Sequence, residues 1–133
     1  GKVTNHSIQQ KILCTRTSLN GREIRFGREN LIKYNKAIRD KIPEIIADSG
    51  KKYNLKQLDD EPFLAELEKK LIEEVNEYAE SKDVEELADL VEVIYRISEL
   101  KGVNSDELDK IRKDKAEKRG KFDSNLFLID AEK

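Results

Sequence analysis

Apolar residues recur every three or four positions between residues 60 and 100, which is the spacing of helices that bury one face. The first stretch follows 59-DDEPF-63, whose acids and proline favour a helix N-terminus. The residues of its predicted buried face are Leu64, Leu67, Leu71, Val75 and Tyr78. After a polar break at 81–83, the second stretch runs from Val84 to Leu100. Its apolar residues are Leu87, Leu90, Val91, Ile94 and Ile97. Because so short a connection joins antiparallel neighbours, the pattern predicts a helical hairpin.

Two further helices are predicted to flank this hairpin. Residues 43–50, PEIIADSG, suit a short helix, because the proline fits a first turn and the glycine fits a C-terminal stop. Either Asn104 or Ser105 can cap a last helix that runs to Arg119 and stops at Gly120. The tail that follows, KFDSNLFLI, is too apolar for a disordered end alone. We expect it to pack back on the domain or on a partner subunit.

Residues 1–30 differ from the remainder of the chain. They contain few acids, and the segments ILCTRT and REIRF flank SLNG, in which Asn20-Gly21 is a pair favoured in tight β-hairpins. A small β-hairpin is one interpretation, and a flexible extension or an added leader is the other. The predicted organisation is therefore an N-terminal extension, 1–30, to which we assign no function, and an all-α domain, 31–133.

The charge composition limits the classes of function. Charged residues make up 41% of the chain, yet 26 Lys and Arg stand against 28 Asp and Glu, so the basic excess of a nucleic-acid-coating protein is missing. No apolar run is long enough to cross a bilayer, and no signal segment opens the sequence. The single cysteine, Cys14, cannot form an internal disulfide. We expect a cytoplasmic protein that binds neither nucleic acid nor membrane.

Acidic residues are crowded along the predicted hairpin, with nine carboxylates between residues 71 and 94. The simplest interpretation is a solvated helix face. It suits Glu73 and Glu80, which lie nearly opposite the apolar stripe of the first helix at about 100° per residue. It also suits the group Glu85, Glu92 and Glu99 on the second helix. The remaining acids need a different explanation.

Four carboxylates lie beside the apolar stripes. Glu74 falls at the edge of the first stripe, and Glu77 is one turn further along the same flank. On the second helix, Val93, Ile97 and Leu100 surround Glu86 on the helical wheel, and Asp89 adjoins it. A capping box formed by Asp83 and Glu86 is an alternative explanation for one of these acids, but it leaves the other three without one.

Hairpin geometry brings these four acids to the same level. With a rise of about 1.5 Å per residue and a turn near residue 82, Glu77 should stand beside Glu86, and Glu74 beside Asp89. Four converging carboxylates repel one another, and a divalent cation turns that repulsion into coordination. Ligands that are all oxygen favour Mg²⁺, or Mn²⁺, over zinc. The sequence therefore predicts a metal site on a rigid helix pair.

The acidic pattern also resembles a known signature. The run 73-EEVNE-77 followed by 86-ELAD-89 is similar to the Glu-Glu-x-x-Glu … Glu-x-x-Asp motif of the all-α nucleoside triphosphate pyrophosphohydrolases. This MazG-like superfamily also includes phosphoribosyl-ATP pyrophosphohydrolases and dimeric dUTPases. The segments 34-YNKAIRDKIPEII-46 and 118-KRGKF-122 resemble one branch, the predicted house-cleaning noncanonical NTP pyrophosphatases. Together the three blocks cover roughly residues 33–130.

The resemblance implies a set of roles. Glu74, Glu77, Glu86 and Asp89 would be the metal ligands, and Glu73 a neighbour that assists or positions water. The implied reaction is hydrolysis of a nucleoside triphosphate between its α and β phosphates, which yields the monophosphate and pyrophosphate. Either Glu74 or Glu77 could accept the proton of the attacking water.

A triphosphate needs more positive charge than one metal ion supplies. The candidate substrate-binding residues are Lys36, Arg39, Lys118 and Arg119, with Asn35 as a polar contact. For Lys118 and Arg119 the alternative is a favourable interaction with the C-terminus of their own helix.

The second hairpin helix is apolar over much more than half of its circumference, which suggests that it also packs against another copy. The resemblance likewise implies a homodimer or a dimer-based tetramer. Three alternatives to the NTP pyrophosphohydrolase remain open. They are a phosphoribosyl-ATP pyrophosphohydrolase, a non-enzymatic helical dimerisation or regulatory module, and a family member that binds nucleotides without cleaving them.

Overall fold

The structure, a computed structural model, describes residues 31–133. Within that range the chain is all-helical and contains no strand. The helices are α1 (Ile42–Asp48), α2 (Asp60–Ser81), α3 (Val84–Leu100) and α4 (Ser105–Arg119). The all-α prediction is thus confirmed for residues 31–133. The possible β-hairpin lies in residues 1–30, outside the described residues.

Helices α2 and α3 form the predicted hairpin. Lys82 adopts a left-handed conformation, with φ 61°, and its backbone N–H donates to the carbonyl of Tyr78 over 2.8 Å. This arrangement ends α2, and α3 begins two residues later and packs along it. The sequence placed the break at the same residues, because charged and small polar side chains there interrupt both apolar stripes.

The hairpin is packed around a small apolar core. Leu67 of α2 and Val93 of α3 are buried together with Ala37, which precedes α1 in the chain. The partly buried residues around them are Phe63, Leu71, Ile97 and Leu100. Ala37 thereby holds the segment before α1 against the hairpin. A second cluster, around Ile42, packs α1 against the same segment.

The rotation of α3 buries the flank on which the sequence placed Glu86 beside Val93. The buried residues of α3 include Glu86, Asp89 and Val93, whereas the apolar residues Leu87, Val91 and Ile94 are 40–44% exposed. On α2, Val75 is also exposed rather than buried. Helix α3 is apolar on two flanks, and the flank that also carries the acids packs on α2. The apolar stripe of Val84, Leu87, Val91, Ile94 and Tyr95, called the outer stripe below, faces away from the described part of the chain.

Helix α4 follows α3 in the chain, and α3 is the only described helix that it contacts. Asn104 and Glu107 form a reciprocal capping box at its start, and Gly120 closes it with φ 85°. Both boundaries agree with the prediction. No helix in residues 31–133 is long and apolar enough to cross a membrane.

The apolar tail does not pack on its own domain. Phe122, Leu126, Phe127, Leu128 and Ile129 are 79–97% exposed. The prediction that this segment packs back on the domain is therefore wrong. The alternative, packing on a second subunit, stays a prediction.

Candidate metal centre

Three of the four predicted metal ligands meet between the hairpin helices. Glu74 points inward from α2, and Glu86 and Asp89, three residues apart on α3, face it. One carboxylate oxygen from each residue lies within 4.8 Å of the other two. The residues are 1%, 6% and 2% exposed. We call these three residues the acidic triad.

Glu77, the fourth predicted ligand, lies at the edge of this site. It is half-buried one turn after Glu74, and it is not part of the group whose oxygens lie within 4.8 Å. Together with Glu73 and Glu86 it lines an open groove of about 1020 Å³ beside the triad. A groove of this size can hold a small-molecule ligand, for which about 300–1,000 Å³ is usual. Whether Glu77 ligates a metal stays a prediction.

Two of the predicted substrate-binding cations reach the acids. Arg39 Nη2 donates to Asp89 Oδ1 over 2.9 Å, and Lys36 Nζ donates to Glu73 Oε1 over 3.1 Å. Both belong to the segment that Ala37 holds against the hairpin. Glu73 was expected to be fully solvated. It is instead partly covered, and both Lys36 and Lys70 of α2 approach its carboxylate.

The other predicted substrate-binding residues lie apart from these contacts. Asn35 is exposed and adopts a left-handed conformation, with φ 46°. Lys118 and Arg119 are exposed in the last turn of α4. The side chains of Lys118 and Arg119 form no ion pair or hydrogen bond within residues 31–133.

Lys70 belongs to the site but was missed by the sequence analysis. It is buried on α2, with Nζ 3.6 Å from Glu74 Oε1 and 3.9 Å from Glu73 Oε1. Burial lowers the pKa of the Lys70 ammonium, while the charges of the two carboxylates act in the opposite direction. The signal was present in the spacing, because Lys70 is four residues before Glu74 and three after Leu67, on the same helical face.

The capping-box explanation for Glu86 is wrong. The side chain of Asp83 forms no capping hydrogen bond, and its backbone N–H donates to Ser81 Oγ over 3.1 Å. Glu86 is therefore not held at the helix start by a reciprocal cap. Its burial comes from the packing of α3 on α2.

The donor set suits a hard divalent cation. All three groups of the triad are carboxylates, and residues 31–133 contain neither histidine nor cysteine. Oxygen-only ligands favour Mg²⁺ or Mn²⁺. Buried carboxylates this close repel one another unless cations offset their charge.

Comparison of the chain with protein-family models, with curated proteins and with solved structures returns no match.

Proposed function

We propose that this protein is a Mg²⁺- or Mn²⁺-dependent nucleoside triphosphate pyrophosphohydrolase with a MazG-like fold. It would cleave between the α and β phosphates and remove noncanonical or surplus nucleotides. The observation that carries the proposal is the acidic triad, buried between two packed helices and flanked by cations beside an open groove. The resemblance of 73-EEVNE-77 and 86-ELAD-89 to the pyrophosphohydrolase signature supports the same reaction.

In this proposal the acidic triad holds the ion, with Glu77 as a further ligand from the edge of the groove. When bound, the ion supplies positive charge for the phosphate oxygens and for the leaving pyrophosphate. Glu77, half-buried at the groove, is suited to accept a proton from the attacking water, and Glu74 is the alternative base. Glu73, which lines the same groove, would orient that water.

The cations would bind the triphosphate. Arg39 and Lys36 lie beside the acids, where guanidinium and ammonium groups can donate charge-assisted hydrogen bonds to phosphate oxygens. Asn35 is next to them in sequence and would add a polar contact. Lys118 and Arg119 would contact the triphosphate only if the end of α4 approaches the groove, either within one chain or from a second copy.

Self-association is part of the proposal. The outer stripe of α3 leaves five apolar side chains exposed along one helix face, and the tail adds five more. An exposed apolar patch larger than a few hundred Å² marks an interaction site in many proteins. A second copy, in a homodimer or a dimer-based tetramer, would cover it.

The test is a panel of canonical and modified nucleoside triphosphates with Mg²⁺, scored for pyrophosphate release. We expect turnover of at least one member, and Glu86→Gln should lower kcat by about 100-fold or more, as expected when an essential charged group is lost from a site. Glu92→Gln removes a carboxylate from the exposed side of the same helix and should leave kcat unchanged. No turnover of any triphosphate by folded protein would contradict the proposal.

The same assay separates the alternatives. Turnover of phosphoribosyl-ATP alone would indicate the related pyrophosphohydrolase. A non-enzymatic helical module would show no change in Tm with millimolar Mg²⁺. Nucleotide-dependent stabilisation without pyrophosphate release would indicate a protein that binds nucleotides without cleaving them.

A further inference from the structure

The acidic triad already has counter-charges from its own chain. Arg39 Nη2 lies 2.9 Å from Asp89 Oδ1, and Lys70 Nζ lies 3.6 Å from Glu74 Oε1. Lys36 extends this layer, because it and Lys70 both approach Glu73 Oε1, at 3.1 and 3.9 Å. We call Lys36, Arg39 and Lys70 the internal cations.

The contacts of Lys70 are poor for a buried ammonium. Its side chain is 6% exposed, and within the described residues its Nζ makes ion pairs but no hydrogen bond. An ammonium that has lost its water and gained no hydrogen bond is weakly stabilised. The group is held at the triad mainly by charge, so another cation at the same carboxylates can replace it.

The internal cations use the carboxylates that a metal would need. Arg39 contacts an oxygen of Asp89, and Lys70 contacts an oxygen of Glu74. Both partners belong to the acidic triad. A divalent ion that binds there must share or displace these contacts, since each nearby positive charge also repels it.

The charge balance indicates where the displaced cations go. The three internal cations face four carboxylates, those of the triad and of Glu73, and Glu77 adds a fifth at the edge of the groove. A divalent ion at the triad offsets the excess of acid charge and takes carboxylate oxygens that Arg39 and Lys70 contact. A polyphosphate, which carries several negative charges in a compact group, offers these cations new partners.

We infer that the internal cations stand in for the divalent ion in the metal-free protein and exchange their carboxylate partners for substrate phosphates when the metal site is filled. This inference rests on the proposed function. Its consequence is that metal and polyphosphate bind with positive coupling, and that the internal cations weaken metal binding when no polyphosphate is present.

The test measures Mn²⁺ binding to the full chain by titration calorimetry, without nucleotide. The variants are Arg39→Gln and Lys70→Met, which remove one internal cation each. We expect each to bind Mn²⁺ about tenfold more tightly than the wild type, because one repulsive charge near the site is gone. An ion pair that only orients the carboxylates would instead leave Mn²⁺ affinity unchanged or weaker after its removal.

Matched controls lie outside the site. Arg96→Gln and Lys113→Met make the same chemical changes at exposed ion pairs, with Glu99 and Asp109 at 3.2 Å in each case. Their Mn²⁺ affinity should equal that of the wild type. Arg39→Lys keeps the charge beside Asp89 and should restore Mn²⁺ affinity to near the wild-type value.

A second titration uses inorganic tripolyphosphate at saturating Mn²⁺. Arg39→Gln and Lys70→Met should bind it about tenfold more weakly, so the two affinities move in opposite directions. If both variants fail to fold by circular dichroism, Lys36→Met is the test. It leaves the contacts of Arg39 and Lys70 with the triad intact and should tighten Mn²⁺ binding about threefold.

Unchanged or weaker Mn²⁺ affinity in the folded variants overturns the inference, and so does the absence of Mn²⁺ binding in the wild type and in both variants. Failure of the proposed function looks different. If the variants show opposite shifts in Mn²⁺ and tripolyphosphate affinity but the protein hydrolyses no nucleotide, the inference stands and the proposed enzymatic function is wrong.

Discussion

At the scale of single residues, the interior of the described domain is unusually polar. Five of its buried residues are polar or charged, and four are apolar. The polar ones are Lys70, Glu74, Glu86, Asp89 and Ser98. Buried charge destabilises a fold unless it is paired, so four charged groups in one small interior indicate a site rather than a structural core.

Ser98, the remaining buried polar residue, has a structural role. Its Oγ donates to the carbonyl of Val103 over 2.6 Å, and the Val103 N–H donates back to the Ser98 carbonyl over 2.9 Å. Ser98→Ala should lower the free energy of unfolding by about 1 kcal/mol, because a buried carbonyl loses its side-chain donor. Urea denaturation measures this, with Ser124→Ala in the exposed tail as the control. Equal midpoints for both variants would contradict the prediction.

At the scale of elements, the hairpin of α2 and α3 carries both the core and the site. Leu67 and Val93 pack at the centre of the interface, and the acidic triad lies in the same interface. Changes in the packing of the two helices will therefore change the spacing of the carboxylates as well as the stability.

Leu67→Ala should destabilise the protein by about 2–4 kcal/mol, because it removes buried apolar surface and leaves a cavity between the helices. Denaturant titration measures the loss. Leu55→Ala makes the same change at an exposed leucine outside the helices and should change the free energy of unfolding by less than about 0.5 kcal/mol. A loss in Leu67→Ala no greater than that in Leu55→Ala would show that the hairpin interface does not carry the stability.

Helix α4 depends more on local charge than on packing. Its Asp109 accepts hydrogen bonds from Arg112 and Lys113, which hold the pKa of that carboxyl below its usual value. A lowered pKa in the folded state means that folding favours the charged carboxylate. The resulting stability is present above the ordinary Asp pKa of about 3.9 and is lost as pH falls through the folded-state value.

Asp109→Asn should consequently lower Tm slightly at pH 7, and the difference from the wild type should disappear in strong acid. Melting curves recorded from pH 7 to pH 2 test this. Asp114→Asn, on the same helix and without an ion pair in residues 31–133, should show no such trend. A difference between wild type and Asp109→Asn that grows on acidification would refute the assigned sign.

At the scale of the whole molecule, a large amount of apolar surface remains exposed. The outer stripe of α3 and the five apolar residues of the tail are exposed in the single chain. Because the flank of α3 that carries the acids is turned toward α2, the more apolar flank faces solvent. A helix that is apolar on two sides is typical of one that also packs between subunits.

We expect the protein to sediment as a dimer or larger assembly at micromolar concentration. The double variant Val91→Lys with Ile94→Lys places two charges in the outer stripe and should yield a folded monomer. Glu92→Lys puts the same side chain on an exposed flank of α3 outside the outer stripe and should leave the assembly intact. A wild-type monomer in sedimentation velocity would rule out self-association through this face.

The sequence by itself determined the helices. The ends of α1, α2, α3 and α4 agree with the prediction because their signals are local: the proline of α1, the break in the apolar pattern at 81–83, and the capping box and Gly120 of α4 each act within one turn of the chain. It also predicted that Glu74, Glu86 and Asp89 lie at one level, since the short turn at Lys82 fixes how residues of the two helices align, but it included Glu77, which lies at the edge of the group.

Only the tertiary structure decided how each helix is rotated and which residues distant in sequence contact it. Periodicity shows that α3 has apolar flanks, but the choice of the flank that meets α2 depends on all its neighbours at once. The contact of Arg39 with Asp89, 50 residues away, depends on the burial of Ala37 in the hairpin. Such long-range contacts have no local signal, because their energy comes from groups that chain spacing alone does not bring together.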